Sequence, residues 1–332
     1  MQVNNQISIV IPTYNRADFL DYSLQIHMPL AKKHNVAIFI FDNASTDGTQ
    51  QVAKKWMQEY PYLSYVRHES NIGAVLNVEF ALKYPKTEFV WLLGDTYQIP
   101  ENGIDSVLEC INETNQKLDV IVCNLENKLE IATKTYEDAN SLLYDLGALM
   151  TCIAVLVLSK SVIEKGAFER FRATSFPHAG IIFEEIAKRD FLIYWMSKVS
   201  IKGLHRHNLK KTNWSHTPKA FEIGCEDWTN FVMSLPPSYR IDNKMKCIMD
   251  FGKVSGLFTL RTLLLLRALG ILNIKSLKQF HYLLPLTIDF PRLFLYGLSL
   301  IPKRVVKFVI FLYILFFNKG MKQKYLLLFR EA

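Results

Sequence analysis

The fold of this 332-residue chain is decided by residues 7–20, which read ISIVIPTYNRADFL. The first six letters are rich in Ile and Val, a composition typical of a short buried strand. Pro12 is expected to end that strand, after which Tyr14 presents an aromatic ring at the sheet edge and Arg16 opens a helix. The stretch therefore predicts one β-strand followed by one α-helix, joined by a polar and aromatic turn.

The same alternation continues outward through the first 125 residues, where helix-like stretches separate strand-like runs. Pro29 predicts a break or kink in the first helix. Strands alternating with helices indicate an α/β fold with a mostly parallel sheet flanked by helices. The predicted strands are ISIVIP (7–12), VAIFIF (36–41), LSYVRH (63–68), EFVWLL (88–93) and LDVIVC (118–123).

The residues after Val254 differ from the rest in charge and hydropathy. They contain 12 Lys and Arg against Asp289 and Glu331, a net charge of +10, whereas the remainder of the chain has a net charge of −2. Long aliphatic runs interleave with these charges, which argues against a surface that faces nucleic acid. The pattern favours helices lying in the plane of a membrane surface, with Lys and Arg at the headgroups.

Two alternatives for this region stay open, a helical subdomain packed on the core and a true transmembrane span. The apolar run VVKFVIFLYILFF (305–317) has 13 residues, short of the ~20 that cross a bilayer. We therefore divide the chain into an α/β domain (1–215) and a helical, basic, amphipathic region (216–332).

Several classes of protein have no support in the sequence. The five cysteines are scattered without a CxxC pair, so neither a disulfide framework nor a zinc ribbon is indicated. No signal-peptide pattern precedes the first strand, and we expect a reducing, cytoplasmic compartment. The absence of GxGxxG, GxxxxGK[ST] and HExxH leaves dinucleotide, P-loop and zincin readings without a motif.

Aromatic and acidic side chains follow the first two predicted strands. Tyr14 follows the first, and Asp42 ends the second in FDNASTDGT. Neighbouring parallel strands end at one sheet edge, where α/β proteins bind ligands. An aromatic ring can stack on a pyrimidine base while a carboxylate accepts the base N–H. Each residue alone fits ordinary turn chemistry; together they indicate a nucleotide site.

Four segments resemble the family 2 glycosyltransferases of GT-A fold, in that family's order and spacing. They are SIVIPTYNR, FDNASTDGT, ESNIGAVLNVEFAL and FVWLLGD, spread over residues 5–125. The resemblance implies an inverting transferase that uses a nucleotide-diphospho-sugar, usually with Mg or Mn. By that resemblance Pro12, Thr13 and Tyr14 line the nucleotide pocket, Arg16 also belongs to the donor-binding residues, and Asp42 binds the base. Asn71, Gly73 and Asn77 would border the diphosphate and sugar.

By the same resemblance, Asp95 in LLGDTYQIP (92–100) falls in the family's DxD element, which often reads GDDD. Here Thr96 and Tyr97 replace the later acids, and Tyr97 is expected to pack against nucleotide or sugar. One carboxylate can suffice for Mg²⁺ when substrate phosphates and waters supply the other ligands. We therefore expect Asp95 to hold the metal.

The general base is sought where the family carries a Glu-Asp pair that opens a helix. Counting back from the strand-like and basic segment FLIYWMSKVSIKGLHRHN (191–208) leads to SFPHAGIIFEE, with His178 in the place of the aspartate. Pro177 is a natural first helical residue, and the helix end would keep His178 neutral. Glu185 shares its face seven residues on. A literal Glu226-Asp227 pair occurs after the basic segment, and we treat it as a chance match.

A compact basic group follows, formed by His205, Arg206 and His207. We expect Arg206 to close over the diphosphate and His207 to complete the metal shell.

Together these features predict a glycosyltransferase that moves a sugar, with inversion, to an acceptor hydroxyl. Its acceptor would be lipid-linked or an oligosaccharide, as in bacterial surface-polysaccharide assembly at the cytoplasmic face of the membrane. The alternative is a catalytically degenerate homologue that binds nucleotide-sugar or a partner enzyme. A nucleotidyltransferase shares the sheet type, but no Gly-rich, basic loop follows the first strand.

Overall fold

The computed structural model describes residues 2–114, 116–205 and 214–317, which divide into two compact units. The first holds the described residues up to 205 together with Leu235–Arg240. The second holds the other described residues from 214 onward. The domain boundary at residue 215 stays a prediction, and the sequence carries no signal for the return of Leu235–Arg240 to the first unit.

The first unit begins with the predicted alternation of strands and helices. All five predicted strands are confirmed, with ends displaced by at most two residues. Its elements are β1 (Ile7–Thr13), α1 (Ala17–His34), β2 (Ala37–Asp42), α2 (Thr49–Glu59), β3 (Leu63–Arg67), α3 (Ala74–Lys83), β4 (Phe89–Leu92), β5 (Tyr97–Gln98), α4 (Gly103–Glu113), β6 (Val120–Leu125), β7 (Lys134–Tyr136), α5 (Ala139–Leu146), the 3₁₀ turns Leu149–Thr151 and Ile153–Val155, β8 (Leu156–Ser159), α6 (Lys160–Lys165), α7 (Phe168–Phe171), α8 (Pro177–Ile186) and β9 (Ile193–Gly203).

Two prolines act differently from what the sequence predicts. β1 continues through Pro12 to Thr13, while its pairing with β4 ends at Val10. On that side β1 is locally an edge, where a residue without an N–H is tolerated. Helix α1 continues through Pro29 to His34, so a break at Pro29 is wrong, and the alternative of a kink stays a prediction. Seven residues of α1 are buried. We attribute the continuation of the helix to their burial, which offsets the ~3 kcal/mol that an internal proline costs.

The sheet is mixed, so the expectation of a mostly parallel sheet is wrong in its second half. Within the described residues nine strands run in the order β3-β2-β1-β4-β8-β6-β9-β5, with β7 pairing β9. The β3-β2-β1-β4 half and the β6–β9 pair are parallel, whereas β8 lies antiparallel to both β4 and β6. Short 3₁₀ turns lead into β8, and an antiparallel strand needs no helical crossover.

The second unit is helical, as expected for the described part of the C-terminal region. Leu265 of α12 and Ile314 of α16 form a small core with Leu269 and Ile310. No helix among the described residues is both long and apolar enough to cross a membrane. The elements are the 3₁₀ turn Trp214–His216, α9 (Lys219–Phe221), the π-helical turn Glu222–Asp227, α10 (Trp228–Ser234), α11 (Ile241–Ser255), α12 (Leu260–Leu269), α13 (Ile274–Gln279), α14 (Leu284–Thr287), α15 (Arg292–Leu300) and α16 (Lys303–Phe317).

Candidate active site

The parallel half of the sheet brings Thr13, at the end of β1, next to Asp95, which lies three residues beyond β4. Thr13 Oγ1 donates to Asp95 Oδ2 at 3.0 Å, and Arg16 Nη1 lies 3.5 Å from Asp95 Oδ1. Asp95 is only 8% exposed. A buried carboxylate is stable in its charged form when hydrogen bonds and an opposite charge surround it. The structure therefore brings together Thr13, Arg16 and Asp95, which the sequence predicted for one site.

The two loops at this edge are tied to one another. Asn15, with φ +50°, donates its N–H to Ser45 Oγ at 2.8 Å, and its side-chain oxygen accepts from the Thr46 N–H at 2.7 Å. These bonds fix the turn that presents Tyr14, whose ring is 43% exposed. Pro12, two residues earlier, is half-buried. The exposed ring fits the expected aromatic surface of a nucleotide pocket.

Asp42, at the end of β2, is held by neighbouring side chains. Its side chain is fully buried, and it accepts hydrogen bonds from the backbone N–H of Ser45, at 2.9 Å, and from the hydroxyls of Ser45 and Tyr65. Arg67 Nε lies 3.5 Å away. Burial, followed by the bond to Asp42, raises the pKa of Tyr65. Both carboxylate oxygens of Asp42 are thus engaged within the protein, and its contact with the base stays a prediction.

Asn43, next in sequence, was missed as a site residue although it lies in the quoted FDNASTDGT. Its amide joins Asn71 and the start of α3: Asn43 Nδ2 donates to Asn71 Oδ1 at 2.9 Å, and the Ile72 N–H donates to Asn43 Oδ1 at 2.9 Å. Gly73 N–H also donates to Asn71 Oδ1, at 2.9 Å. At φ +86°, Gly73 precedes α3 in a conformation that other residues rarely adopt.

Asn77 and Asn71 therefore have different surroundings. Asn77 is buried, donates to the Phe41 carbonyl at 3.0 Å and contacts His68 Nε2 at 3.0 Å. Asn71 and Gly73 are exposed at the N-terminus of α3. Unpaired N–H groups at a helix start attract anions. This helix end suits the diphosphate side of the predicted pocket, whereas Asn77 supports it from below.

His178 lies in the first turn of α8 after Pro177, as expected. It is 3% exposed, and its Nε2 donates to the Thr151 carbonyl at 3.0 Å. Burial lowers its pKa to about 4, against the opposing effect of that bond. The imidazole is neutral at pH 7, and Nδ1 is left to accept a proton. Burial, more than the helix end, supplies the reason.

The carboxylates near the end of α8 are engaged by basic side chains. Glu185 is 8% exposed and lies 3.5 Å from Lys188 Nζ, while Glu184 pairs with Arg170 and, at 3.1 Å, with Lys188. The Glu226-Asp227 pair lies in a π-helical turn of the second unit.

Metal ligation rests on few side chains. Among residues 2–114, 116–205 and 214–317, no three His, Cys, Asp or Glu side chains cluster as a metal site would require. Asp95 fits a divalent cation as a single ligand, with phosphate and water oxygens completing the shell. Arg206 and His207 lie outside the described residues.

Comparison with known proteins identifies the first part of the chain. Residues 8–144 match the model of Glycosyl transferase family 2. Abequosyltransferase RfbV of Salmonella typhimurium is 26% identical over 58% of this chain and 64% of its own length. Glycosyltransferase GlyG of Streptococcus pneumoniae is 22% identical over 51% of this chain and 53% of its own. The chain thus matches between half and two thirds of these relatives' lengths.

Solved structures agree at the level of fold. TarS 1–349 of S. aureus, in complex with UDP-GlcNAc, superposes with a TM-score of 0.55 at 15% identity, covering 98% of this chain and 89% of that one. The mannosyltransferase PcManGT of Pyrobaculum calidifontis, with GDP-Man and Mn²⁺, gives 0.52 at 14% identity, covering 99% and 88%. At such identities the likeness shows a shared GT-A-like α/β fold. Residues 8–144 of this chain therefore form a domain of glycosyltransferase family 2.

Proposed function

We propose that this protein transfers a sugar, with inversion, from a nucleotide-diphospho-sugar to an acceptor hydroxyl in surface-polysaccharide synthesis. The observation that carries the proposal is the contact of Thr13, Arg16 and Asp95 at the edge where β1 and β4 end, within a family 2 domain. A buried acid beside an arginine suits a ligand that brings both phosphate charge and a cation.

The donor pocket is built from the two tied loops and the start of α3. The exposed ring of Tyr14 stacks on the base. Asn71, Gly73 and the first N–H groups of α3 border the diphosphate, with Arg16 as a counter-charge. Asp42 acts indirectly by holding Ser45. TarS and PcManGT, which share the fold, were solved with UDP-GlcNAc and GDP-Man.

Asp95, together with His207, would hold Mg²⁺ or Mn²⁺, the second of which accompanies GDP-Man in PcManGT. A bound cation would neutralise the charge that grows on the leaving diphosphate. Thr13 orients the Asp95 carboxylate through its hydroxyl, and Arg16 lies on the other carboxylate oxygen. Arg206 would close over the diphosphate from the segment outside the described residues.

His178 is our candidate general base, with Glu185 further along the same helix. Burial lowers the pKa of His178 to about 4, which keeps the imidazole neutral at pH 7 and leaves Nδ1 as the atom that would accept the hydroxyl proton, while it makes the ring a weaker base than an exposed histidine. The Thr151 carbonyl fixes the tautomer by accepting from Nε2. Inversion needs such a base on the face of the sugar opposite the leaving diphosphate.

The acceptor is proposed to be a lipid-linked oligosaccharide, with the enzyme at the cytoplasmic face of a membrane. Helix α16 supports this because it is apolar on two sides. One side packs on α12, and the other exposes Val305, Phe308, Val309 and Tyr313, each at least 48% exposed. Lys303 and Arg304 begin the same helix. An apolar stripe beside cations fits an anionic bilayer surface.

The proposal is tested by incubating membranes from cells that make the protein with UDP-, GDP- and dTDP-sugars, followed by mass spectrometry of the products. A sugar added to an acceptor only when the protein is present supports transfer. Donor binding without any product would support the degenerate homologue, which the presence of Thr96 and Tyr97 in place of the family's later acids favours.

A further inference from the structure

A cavity of about 370 Å³ lies in the first unit, and the predicted site does not account for it. It is lined by Gln98, Glu126, Asn127, Lys202, Gly203 and His205. Its volume falls at the lower end of the range for small-molecule sites. Strand β5 joins it to the candidate site: Tyr97 pairs with Gly203, and the Leu204 N–H donates to the Thr96 carbonyl at 2.8 Å. The first lining residue, Gln98, thus lies three residues after Asp95.

One wall is a tight turn in an unfavourable backbone conformation. Glu126 and Asn127 have φ values of +50° and +54°, and the Lys128 N–H closes the turn on the Leu125 carbonyl at 2.9 Å. Positive φ at both central positions is the signature of a type I′ turn, which favours Asn and Gly. Asparagine is at home there, but glutamate is not. A strained residue beside a cavity points to a role for its side chain.

The turn is fixed from both sides. The Glu126 N–H donates to the Ile201 carbonyl at 2.8 Å, and the Asn127 N–H donates to Ser200 Oγ at 2.9 Å. Glu126 Oε2 lies 3.6 Å from Lys128 Nζ, and the glutamate side chain is 44% exposed. The backbone bonds place the carboxylate at the mouth of the cavity without using its hydrogen-bonding capacity.

The side chains that line the cavity are polar, carry charges of both signs, and are close to neutral overall. They offer a carboxylate, two amides, one ammonium and one imidazole. A phosphate would need a group of cations, whereas Glu126 would repel it. Sugar hydroxyls both donate and accept hydrogen bonds, and they match a set of amides with a carboxylate.

We propose that this cavity binds a pyranose ring of the acceptor carbohydrate, with Glu126 accepting hydrogen bonds from two of its hydroxyls. The inference rests on the proposed function and deepens it, because it separates the acceptor subsite from the donor pocket at Tyr14 and Arg16. Tyr97 precedes the lining residue Gln98 in β5 and pairs with Gly203. Nearby Cys152, burial and the carboxylates of Glu126 and Asp95 raise the pKa of its hydroxyl, which stays protonated.

The test uses the full chain and saturation-transfer NMR with methyl pyranosides of mannose, galactose, glucose and rhamnose. Glu126→Gln keeps the size and removes the charge. Gly203→Val fills the cavity, since a Cβ there meets only ordinary contacts, with His205 Nε2 at 3.4 Å and Glu126 Oε1 at 3.5 Å. Both variants should weaken binding of the preferred glycoside at least tenfold. Glu101→Gln, an exposed carboxylate elsewhere, is the matched control and should bind as the native chain does.

Glu126→Gly separates the effect on binding from an effect on folding, because glycine adopts a positive φ without the strain that glutamate has there. Its melting temperature should equal or exceed that of the native chain while glycoside binding is lost. Retained binding in the Gln, Gly and Val variants would overturn the inference, as would a native chain that binds none of the glycosides. Binding of inorganic pyrophosphate in the cavity, lost in Gly203→Val, would assign it to the donor and also overturn the inference. Donor turnover is measured separately, so a failure of the proposed function is recognised by the absence of any product.

Discussion

His27 is a buried histidine that holds the segment leading out of the candidate site, and its protonation should be costly. Its Nε2 accepts the Ile99 N–H at 3.0 Å, and its Nδ1 donates to the Ser23 carbonyl at 2.7 Å. The bond from Ile99 requires an unprotonated Nε2, whereas the bond to Ser23 also forms with the protonated ring. Burial lowers its pKa from 6.5 to about 4, against the opposing effect of the bond to Ser23. Because Ile99 follows Asp95 and Tyr97 closely, the ring anchors β5 to α1.

The magnitude follows from the two pKa values. The folded-state pKa lies below the unfolded-state value, so this contribution is intact above pH 6.5 and is lost as the pH falls toward 4. The difference corresponds to about 3 kcal/mol when fully expressed, and about 2 kcal/mol is lost between pH 8 and pH 5. That is a large share of the ~5–15 kcal/mol by which a folded protein is stable.

The perturbation is His27→Gln, whose side-chain oxygen can still accept from Ile99 but does not titrate. At pH 8 the variant should be less stable by about 1 kcal/mol, because the glutamine amide does not reproduce the geometry of both hydrogen bonds that the imidazole makes. Between pH 8 and pH 5 it should lose about 2 kcal/mol less stability than the native chain. Hydrogen–deuterium exchange of the peptide around Ile99, across a urea series, measures the stability of this segment separately from the rest of the chain. Equal pH dependence in both proteins, or an imidazole NMR signal titrating near pH 6.5 for His27, would refute the reasoning.

Three further predictions concern the proposed machinery. Asp95→Asn should weaken Mn²⁺-dependent donor binding at least tenfold by calorimetry; equal binding with Mn²⁺ and with EDTA in the native chain would contradict a metal role. His178→Ala should lower kcat by ~10²–10⁴ with donor affinity little changed, whereas Asp227→Asn, the control, should be nearly silent; the reverse pattern would show that the spacing was misread. Phe308→Ser, on the exposed side of α16, should reduce sedimentation with anionic vesicles about tenfold or more, while Phe80→Ser, similarly exposed in the first unit, should not; equal losses would argue against α16 as the docking surface.

The parallel half of the sheet was predictable because its strands are short Ile- and Val-rich runs between helices. The second half was not, since β8 is Leu156–Ser159, a four-residue run entered from 3₁₀ turns. Such a run has the same composition in parallel and antiparallel pairing, so periodicity carries no sign of direction. Nor does local sequence reveal that Leu235–Arg240 returns to the first unit, because only tertiary contacts place it there.

The position of a site residue was predictable where the end of its strand fixes it. It was not predictable where hydrogen bonds from neighbouring residues decide how far the side chain is buried. Thr13, Arg16 and Asp95 meet as expected because the register of parallel strands fixes their loops. The burial of Asp42 was not predictable, because it depends on Ser45 and Tyr65, one of which comes from the adjacent strand.

The presence of the single acid Asp95, where the family often has several, has a physical explanation. Asp95 is nearly buried, its Oδ2 accepts a hydrogen bond from Thr13, and its Oδ1 faces Arg16. The loop thus already balances a single negative charge. A second carboxylate at position 96 would add a charge at a side chain that is 5% exposed, and an unpaired buried charge is costly. Tyr97 occupies the next position as a neutral side chain, because Cys152 and burial raise the pKa of its hydroxyl, and it directly precedes the cavity residue Gln98. A substrate that carries its own phosphates and cation supplies the charges that this loop does not, and the neutral ring leaves the neighbouring cavity free for a ligand without charge.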